Sequence, residues 1–354
     1  MGAEYGTATI VALGIIAGCA LLLSLAFTGA ALAYARRRGL LDQPGKRRSH
    51  TQPTPRGGGI GIVAAIVLAG ISAWCLLDRS LSWTQPAALA AAVLAVALIG
   101  WRDDHKPLPV LPRLLVHAGA GLLVGLAALA PWAARDPALW WILLPLVPVL
   151  IGFINSHNFM DGIDGILGQQ GLFTTLGFGL LAVWHGDAGV AALAFATAAG
   201  CLGFLVFNWP PARIFMGDVG SGALGLAIGA IAALVVQRNP TMIWACAILP
   251  STFLVDSGLT LARRMLAGQR WYAPHRQHLY QWLVRVNWSH ARTDIAYMIW
   301  NLAVVAPLAW LAARQPPHGG WYFAIAWVAA AIVWFAGKRA CVAEARRFTS
   351  HENA

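Results

Sequence analysis

Charged residues are scarce in this chain: Asp, Glu, Lys and Arg together make up 11% of its 354 residues. Soluble domains carry about a quarter charged residues, so this sequence cannot cover itself with a water-facing surface. Apolar residues make up 58%, and the mean hydropathy is +0.64. The composition therefore excludes soluble enzymes, secreted disulfide-bonded domains and disordered proteins, and it predicts a polytopic membrane protein.

Cysteine is scarce as well, and its five occurrences include no C-x-x-C pair. Four of them lie in apolar stretches, where a thiol packs as a small hydrophobe, so we expect packing roles. The sequence also shows no internal repeat, whereas many transporters are built from inverted repeats.

Long apolar runs are abundant and predict about eleven transmembrane helices in a single all-α bundle that spans residues 1–354. The runs fall near 7–35, 59–77, 86–101, 113–130, 138–154, 167–185, 190–207, 219–236, 242–262, 294–313 and 321–337. The first run is far longer than a signal-peptide core of about 7–15 residues, so we expect a retained helix. The run 294–313 is interrupted by Asp294, Asn301 and Pro307.

Positive charge is concentrated on one side of these spans. All but four of the 25 Lys and Arg residues fall on that side, the exceptions being Arg79, Arg135, Arg238 and Arg314. The positive-inside rule assigns the richer side to the cytoplasm, with the N-terminus outside and the C-terminus inside. The net charge of +11 then reflects topology and a face suited to anionic lipid and substrate, and it does not indicate nucleic-acid binding.

The loops on that side hold nearly all of the unusual polar residues, near 36–58, 102–113, 155–166, 208–221 and 263–292. Five aspartates stand out, namely Asp103, Asp104, Asp161, Asp164 and Asp218. Carboxylates gathered at a membrane edge repel one another unless cations intervene, and hard oxygen ligands suit Mg²⁺ or Mn²⁺. Each Asp taken alone could equally be a helix N-cap.

Glycines and basic residues in the same loops favour a phosphate-binding site. Glycines flank three predicted helix starts, after 57–59, after 162–165 and at 217–222, where free N–H groups attract anions. Cations that could contact phosphates are Arg47, Arg48, Arg56, Lys106, Arg213 and Arg276, although topology also explains many of them.

His275 and His278 fit phosphate contact better than zinc, or else belong to a polar helix on the membrane. Asp256, inside a predicted span, is a functional candidate unless it pairs with Arg263 or marks a helix break.

Taken in order, these loops resemble the polyprenyl-phosphate N-acetylhexosamine-1-phosphate transferases. The matching motifs are D-x-P-x-x-R-x-x-H with P-x-P-R-G-G (42–58), the Asp103-Asp104 pair, N-x-x-N-x-x-D-G-x-D-G (155–165), N-x-x-P-A with F-M-G-D-x-G-S (208–221) and the histidine loop (275–278). The resemblance covers residues 40 to 285. The last loop, H-R-Q-H-L-Y-Q, lacks the longer histidine run of the peptidoglycan enzyme and is similar to the branch that initiates O-antigen.

The resemblance implies a role for each matched residue. Asp218 and Asn158 would hold Mg²⁺, with Asp161 and Asp164 as the acidic pair beside it. Asp103 and Asp104 would lie near the lipid phosphate, and all four flanking aspartates count as candidate catalytic residues. The implied substrate-binding residues are Arg47, His50, Arg56, Lys106, Asn208, Phe215, His275, Arg276 and His278, of which Asn208 and Phe215 would line a uridine pocket.

The function implied is transfer of N-acetylhexosamine 1-phosphate from a UDP-sugar to undecaprenyl phosphate in the bacterial inner membrane, with release of UMP and an active site facing the cytoplasm. Its partners would be these two substrates and membrane lipid, with a homodimer left open. The product would begin an O-antigen or another cell-envelope polysaccharide. The alternatives are a phospho-MurNAc-pentapeptide transferase and, from another class, a multi-pass transporter or lipid flippase. A covalent aspartyl-phosphate route and direct displacement are both open.

Overall fold

The computed structural model describes residues 6–42, 53–78, 82–270, 273 and 275–352, and the part of the chain that it describes is almost entirely helical. The helices are α1 Thr7–Arg38, α2 Ile60–Leu77, α3 Thr84–His105, α4 Val110–Ala133, α5 Pro137–Phe159, α6 Ile166–Trp184, α7 Ala188–Asn208, α8 Asp218–Arg238, α9 Pro240–Ile248, α10 Ser251–Leu266, α11 Leu279–Arg285, α12 His290–Arg314 and α13 Gly319–Glu352.

Ten helices of the described chain are long and apolar enough to cross a membrane, or up to eleven if α9 and α10 form one bent span. The predicted number of spans and the all-α multi-pass class are therefore confirmed. The predicted span 242–262 is not one straight helix, however, because α9 and α10 meet at an angle of 67° beside Pro250. Proline lacks the backbone N–H that would continue the helix.

Helix α8 lies at the centre of the bundle. Of its most apolar 18-residue window 83% is buried, against 17% for α1 and for α5. Small residues explain the position, because they let neighbouring backbones approach closely. A Cβ atom added at Gly225 would lie 2.6 Å from the carbonyl oxygen of Phe153 on α5. Helix α8 therefore packs against α3 and α5, and its N-terminus is held between their ends.

Glycines set the starts of two helices that matter for the site. Gly165 precedes α6 with φ of 81°, and Gly217 precedes α8 with φ of 74°. Residues other than glycine rarely adopt this left-handed backbone conformation, so both turns depend on glycine. The sequence prediction that glycines flank helix starts at 60, 166 and 218 is confirmed.

A buried polar network accounts for the interrupted run 294–313. The Asn301 side chain donates Nδ2 to Oε1 of Gln170 (2.7 Å) and accepts from Oγ1 of Thr252 (2.6 Å). It begins a short π-helical turn, Asn301–Val305, within α12. Because polar groups in a bilayer must find internal partners, this network lets α12 cross the membrane despite its polar residue.

Two very short strands are the one departure from an all-α structure in the described chain. Strand β1 (Leu41–Asp42) pairs antiparallel with β2 (Thr54–Pro55). Arg56 then forms a parallel bridge with Phe215, and the N–H of Phe215 donates to the carbonyl of Pro55 at 2.8 Å. These contacts bind the segment after α1 to the segment before α8.

Candidate active site

Three helix ends and the segment before α2 meet at one end of the bundle. Asn158, at the end of α5, lies 2.9 Å from Asp218 at the start of α8. Asp104, at the end of α3, accepts the N–H of Asp218 at 3.1 Å. Arg56 donates from its guanidinium to the carbonyl of Asp104. The aspartate motifs predicted from the sequence therefore lie side by side on one face.

Asp104 caps the N-terminus of α8. Its Oδ1 and Oδ2 accept the backbone N–H groups of Asp218 and Val219, both at 3.1 Å, and the residue is buried. A carboxylate at this position satisfies two orphan N–H groups and faces the positive end of the helix dipole. With both oxygens occupied by the backbone, Asp104 is placed to position Asp218.

We expect Asp104→Ala to destabilise the protein by about 1–2 kcal/mol, the usual loss when an N-cap is removed. The change would appear as a lower unfolding temperature of the purified protein. Asp104→Asn keeps one acceptor oxygen and should lie between Asp104→Ala and the unchanged protein. Equal unfolding temperatures for all three proteins would contradict the capping role.

Arg113 joins two of the aspartates. Its Nη1 atom lies 2.7 Å from Oδ2 of Asp103 and 3.5 Å from Oδ2 of Asp218. Asp103 also accepts the N–H of Leu108 at 2.6 Å through its other oxygen. Asp103 is thus held in place by α4 and by the loop before it, while the Asp218 side chain keeps about a third of its surface exposed.

The pair Asp218 and Asn158 fits a Mg²⁺ ion. The Nδ2 of Asn158 donates to Oδ1 of Asp218 and to Oγ of Ser221, both at 2.9 Å. Turning the amide over would place its oxygen beside the carboxylate, which is favourable only with a cation between them. Among the described residues, no group of three or more His, Cys, Asp or Glu side chains could hold a metal alone. Mg²⁺ commonly takes one or two protein carboxylates and completes its shell with water and substrate phosphates, so the donor set fits.

A polar cavity of about 260 Å³ opens on one side of Asp218. Asp161 lines it, and no hydrogen bond to the Asp161 carboxylate is made by the described residues. Burial, together with the negative charges of Asp218, Asp104 and Asp164, raises the pKa of Asp161 well above its ordinary value. A cation beside Asp161 would stabilise its ionised form, so the carboxylate is available to a metal ion or a proton.

The wall of the polar cavity is fixed by backbone hydrogen bonds. Oδ2 of Asp164 accepts the N–H of Ala212 at 3.0 Å, and its Oδ1 lies 3.3 Å from Nδ1 of His290. Asn208 accepts the N–H of Gly165 and donates to the carbonyl of Ile214, both at 2.9 Å. Asp164 and Asn208 therefore hold the loops around the cavity, and His290 contributes a ring from α12.

A larger and more apolar cavity, of about 630 Å³, opens on the other side of Asp218. Its walls come from α4, α5 and α10, and they include Leu114, Ile151, Gly152, Gly258 and Leu261. Polar groups also line this cavity. They are Arg113, His117, Asn155, Ser156, Asn158, Asp218, Ser257, His275 and His278.

Asp218 is the one residue that lines both cavities as the structure describes them. The polar cavity thus reaches the carboxylate from the loop side, and the apolar cavity reaches it from between the helices. This juxtaposition is the central geometric property of the site.

The histidine loop is anchored by Asp256. This buried carboxylate accepts the N–H of Leu279 at 3.0 and 3.1 Å, the hydroxyl of Tyr297 at 3.1 Å and Nε1 of Trp334 at 2.9 Å. Nδ1 of His278 lies 3.6 Å away. Asp256 does not pair with Arg263, since its partners come from α11, α12 and α13. Its function is therefore to fix the start of α11 and with it the preceding loop.

The structure separates the three predicted contacts of that loop. His275 and His278 line the apolar cavity, with ring centroids 4.9 Å apart, whereas Arg276 faces a different cavity behind the loop. Burial, the neighbouring His278 ring and the positive charges of Arg264 and Lys338 lower the pKa of His275 to about 4. The His275 ring is accordingly neutral at pH 7.

The other predicted substrate contacts fall in different places. Arg56 and Phe215 line the polar cavity. Lys106 is exposed after the end of α3 and lines neither cavity. Arg47 and His50 lie outside the described residues.

Several residues of the site were not predicted from the sequence. In the sequence, Arg113 is one of many basic residues on the lysine- and arginine-rich side, Ser221 and Gln281 are parts of motifs, and no pattern singles out His290. Asp42 and Gln281 line the polar cavity together with His290. The signal for Arg113 was its position ten residues after Asp103, which returns it to the same face after a tight loop.

The fold and the site define a multi-pass membrane enzyme in which a polar cavity and an apolar cavity meet at a carboxylate. The family described as "Glycosyl transferase family 4" matches residues 86–236, from α3 to α8. The chain is 31% identical over 310 residues to the decaprenyl-phosphate N-acetylglucosaminephosphotransferase of Mycolicibacterium smegmatis, covering 77% of this chain and 75% of that protein.

Two further relatives carry different substrate names. The phospho-N-acetylmuramoyl-pentapeptide-transferase of Moorella thermoacetica is 31% identical over 312 residues, covering 79% of this chain and 92% of that protein. A protein of Bacillus subtilis named as a probable undecaprenyl-phosphate N-acetylglucosaminyl 1-phosphate transferase is 28% identical over 283 residues, 76% of each chain. The chain belongs to glycosyl transferase family 4 and is a sugar-1-phosphate transferase.

Proposed function

We propose that this enzyme transfers an N-acetylhexosamine 1-phosphate from a UDP-sugar to a polyprenyl phosphate. An oxygen of the lipid phosphate attacks the sugar-bound phosphorus of the donor. A new P–O bond forms, the bond to the bridging oxygen breaks, and UMP leaves with that oxygen. The product is a polyprenyl-diphosphate sugar. The meeting of the two cavities at Asp218 is the observation that carries this proposal.

The polar cavity suits the nucleotide donor. Its lining combines loop backbone, the Phe215 ring, the Arg56 guanidinium and the His290 ring. An aromatic face with a few fixed polar groups can hold a base and ribose, and a guanidinium can contact the phosphates. Asn208 and Asp164, whose side chains hold backbone groups, would act here as positioning residues.

The apolar cavity suits the prenyl chain of the acceptor. It lies between α4, α5 and α10 within the bundle, and Arg113 and Asp218 belong to its lining. A lipid chain placed there would leave its phosphate beside Arg113, which lies 2.7 Å from Asp103 and 3.5 Å from Asp218. The lipid phosphate is largely dianionic at neutral pH, so Arg113 would orient it with little need for a base.

Asp218 and Asn158 would hold Mg²⁺, or Mn²⁺, which would supply charge neutralisation for the donor diphosphate and the leaving UMP. Asp161 stands next to this pair, on the polar side, with its carboxylate available. Arg113 keeps Asp103 and Asp218 together, and Asp104 fixes the helix start that carries Asp218. We propose that Asp161 shares the cation or removes a residual proton from the acceptor.

Relatives named for N-acetylglucosamine and for N-acetylmuramoyl-pentapeptide both match this chain. We favour a simple N-acetylhexosamine and a role in starting a cell-envelope polysaccharide such as O-antigen, because the loop H-R-Q-H-L-Y-Q lacks a longer histidine run. The distribution of Lys and Arg supports an active site on the cytoplasmic face of a bacterial inner membrane.

The direct test is UMP release by the purified protein with Mg²⁺, polyprenyl phosphate and a panel of UDP-sugars. We expect release that depends on both substrates and on the divalent cation, with the highest kcat/KM for one UDP-N-acetylhexosamine. Release with UDP-MurNAc-pentapeptide alone would assign the peptidoglycan reaction instead. No release with any donor, together with lipid or solute movement in vesicles, would favour a transporter.

We expect His290→Ala to raise the KM for the UDP-sugar about tenfold, the loss of one hydrogen bond to a charged or strongly polar ligand. The KM for polyprenyl phosphate should stay the same, because His290 lines only the polar cavity. His318→Ala, on the opposite face after α12, is the matched control and should change neither constant. A rise in the acceptor KM alone would place the nucleotide elsewhere.

A further inference from the structure

A third cavity lies behind the histidine loop, between the ends of α10, α11 and α13, and has a volume of about 470 Å³. Basic side chains dominate its wall. They are Arg263, Arg264, Arg276, Arg285 and Lys338. No Asp or Glu occurs among its described lining residues. The cavity shares no residue with the polar cavity and only His275 with the apolar one.

Four of the five basic side chains in this cavity lack an ion-pair partner in the described part of the chain. Arg263, Arg264, Arg285 and Lys338 form no ion pair with a described carboxylate. Two of them are instead held by backbone carbonyls, since Arg264 donates to Arg270 at 2.7 Å and Lys338 donates to Gln277 at 2.6 Å. A cluster of like charges fixed in this way is unfavourable unless an anion joins it.

The positive charge of the cavity and the burial of its polar atoms affect several of its lining side chains. Partial desolvation lowers the pKa of the Arg285 guanidinium, and repulsion from Arg276 adds to the effect. Two nitrogen atoms at the cavity, Nε of Arg264 and Nε1 of Trp282, are buried without a hydrogen-bond partner among the described residues. A ligand with several acceptor oxygens would satisfy both of these donors and the charges.

The chemistry and the location together point to phosphate at a membrane surface. Guanidinium groups bind phosphate oxygens well, often through two parallel hydrogen bonds. At the same end of α10, Met265 is 58% exposed and Leu266 is 90% exposed, which places apolar surface beside the cations. Basic pockets between transmembrane helices near an interface are typical sites for anionic lipid headgroups.

We propose that this basic cavity binds a phosphate-bearing anion, and that its source is the headgroup of an anionic phospholipid. The bound headgroup neutralises Arg263, Arg285 and Lys338. Through the Lys338–Gln277 hydrogen bond it stabilises the loop that carries His275 and Arg276. The site is separate from both cavities that meet at Asp218, so the ligand is a structural lipid and not a substrate of the transfer reaction.

Native mass spectrometry of the purified protein tests the proposal, with phosphatidylglycerol and phosphatidylcholine as probes. We expect the unchanged protein to retain phosphatidylglycerol in preference to phosphatidylcholine. The double variant Arg263→Gln/Arg285→Gln should retain about tenfold less phosphatidylglycerol, because each basic residue near a membrane surface contributes measurably to anionic-lipid binding. Both side chains are exposed, so the core is preserved, and an unchanged unfolding temperature in detergent confirms it.

The matched control is Arg37→Gln/Arg339→Gln, which removes two exposed cations on the same side of the bundle but outside the cavity. It should retain phosphatidylglycerol as well as the unchanged protein does. Equal losses in both double variants would show only general surface attraction and overturn the site. Displacement by millimolar inorganic phosphate, with no preference for phosphatidylglycerol, would assign a soluble anion and overturn the lipid source. Neither readout depends on transferase activity.

Discussion

Asp218→Asn is expected to lower UMP release by about a hundredfold to a thousandfold while the protein still inserts and folds. Asp218 is the one residue of the described chain that lines both the polar and the apolar cavity. Its Oδ1 atom lies 2.9 Å from Nδ2 of Asn158. Losing its charge weakens the metal site and with it the main electrostatic stabilisation of the donor diphosphate and the leaving UMP, an effect that commonly reaches about 10²–10³ in rate for one such group. The assay is UMP release at saturating Mg²⁺ and both substrates.

Two further measurements separate a chemical role from a folding defect. The unfolding temperature should change little, because the Asp218 side chain is partly exposed and α8 keeps its cap from Asp104. Binding of Mn²⁺ in the presence of UDP-sugar, followed by electron paramagnetic resonance, should be lost in the variant. Asp136→Asn, an exposed aspartate outside both cavities on the opposite face, is the matched control. Full UMP release by Asp218→Asn would remove the metal assignment.

The sequence was sufficient to predict the bundle because membrane spans are set by length and apolarity alone. The apolar runs near 86–101 and 219–236 correspond to Thr84–His105 and Asp218–Arg238, and they differ only in the polar turns at their ends. The backbone groups of these polar turns are hydrogen-bonded within the helices. Each helix therefore extends beyond the apolar residues that hydropathy identifies. The bend between α9 and α10 was missed because a proline in an apolar run predicts a kink without giving its angle.

The sequence predicts that the aspartates lie close together, but it does not predict which contacts each aspartate makes. Asp103 and Asp104 are neighbours in sequence, yet one pairs with Arg113 and the other caps α8. The difference depends on which way each side chain leaves the end of α3. That direction is set by tertiary packing, which motif spacing does not record.

Partners that are distant in sequence were the hardest to foresee. Asp256 meets Leu279, Tyr297 and Trp334, which lie 23, 41 and 78 positions away. A charged residue inside a span predicts that some partner exists, but local spacing offers only nearby candidates such as Arg263. His290 escaped notice for the same reason, since its partner Asp164 is 126 positions away.

The second large effect concerns the apolar cavity, where Gly152 and Gly258 offer a way to fill it without disturbing the fold. Both glycines line the cavity, and a Cβ atom built at either would meet no atom within 4 Å. Gly258→Leu should therefore occupy space that the prenyl chain needs. Each buried CH₂ is worth about 0.8 kcal/mol, so displacing one five-carbon isoprene unit costs about 4 kcal/mol. We expect the kcat/KM for polyprenyl phosphate to fall roughly a thousandfold.

The selectivity of this loss distinguishes a lipid site from general damage. The KM for the UDP-sugar should be unchanged in Gly258→Leu, because the donor cavity meets the apolar cavity only at Asp218. Gly119→Leu is the matched control, since this glycine of α4 also has open space at its Cβ but is exposed and lies outside both cavities. Equal losses of kcat/KM for both substrates would indicate general damage, and no loss for either would show that the lipid chain binds on another face of the bundle.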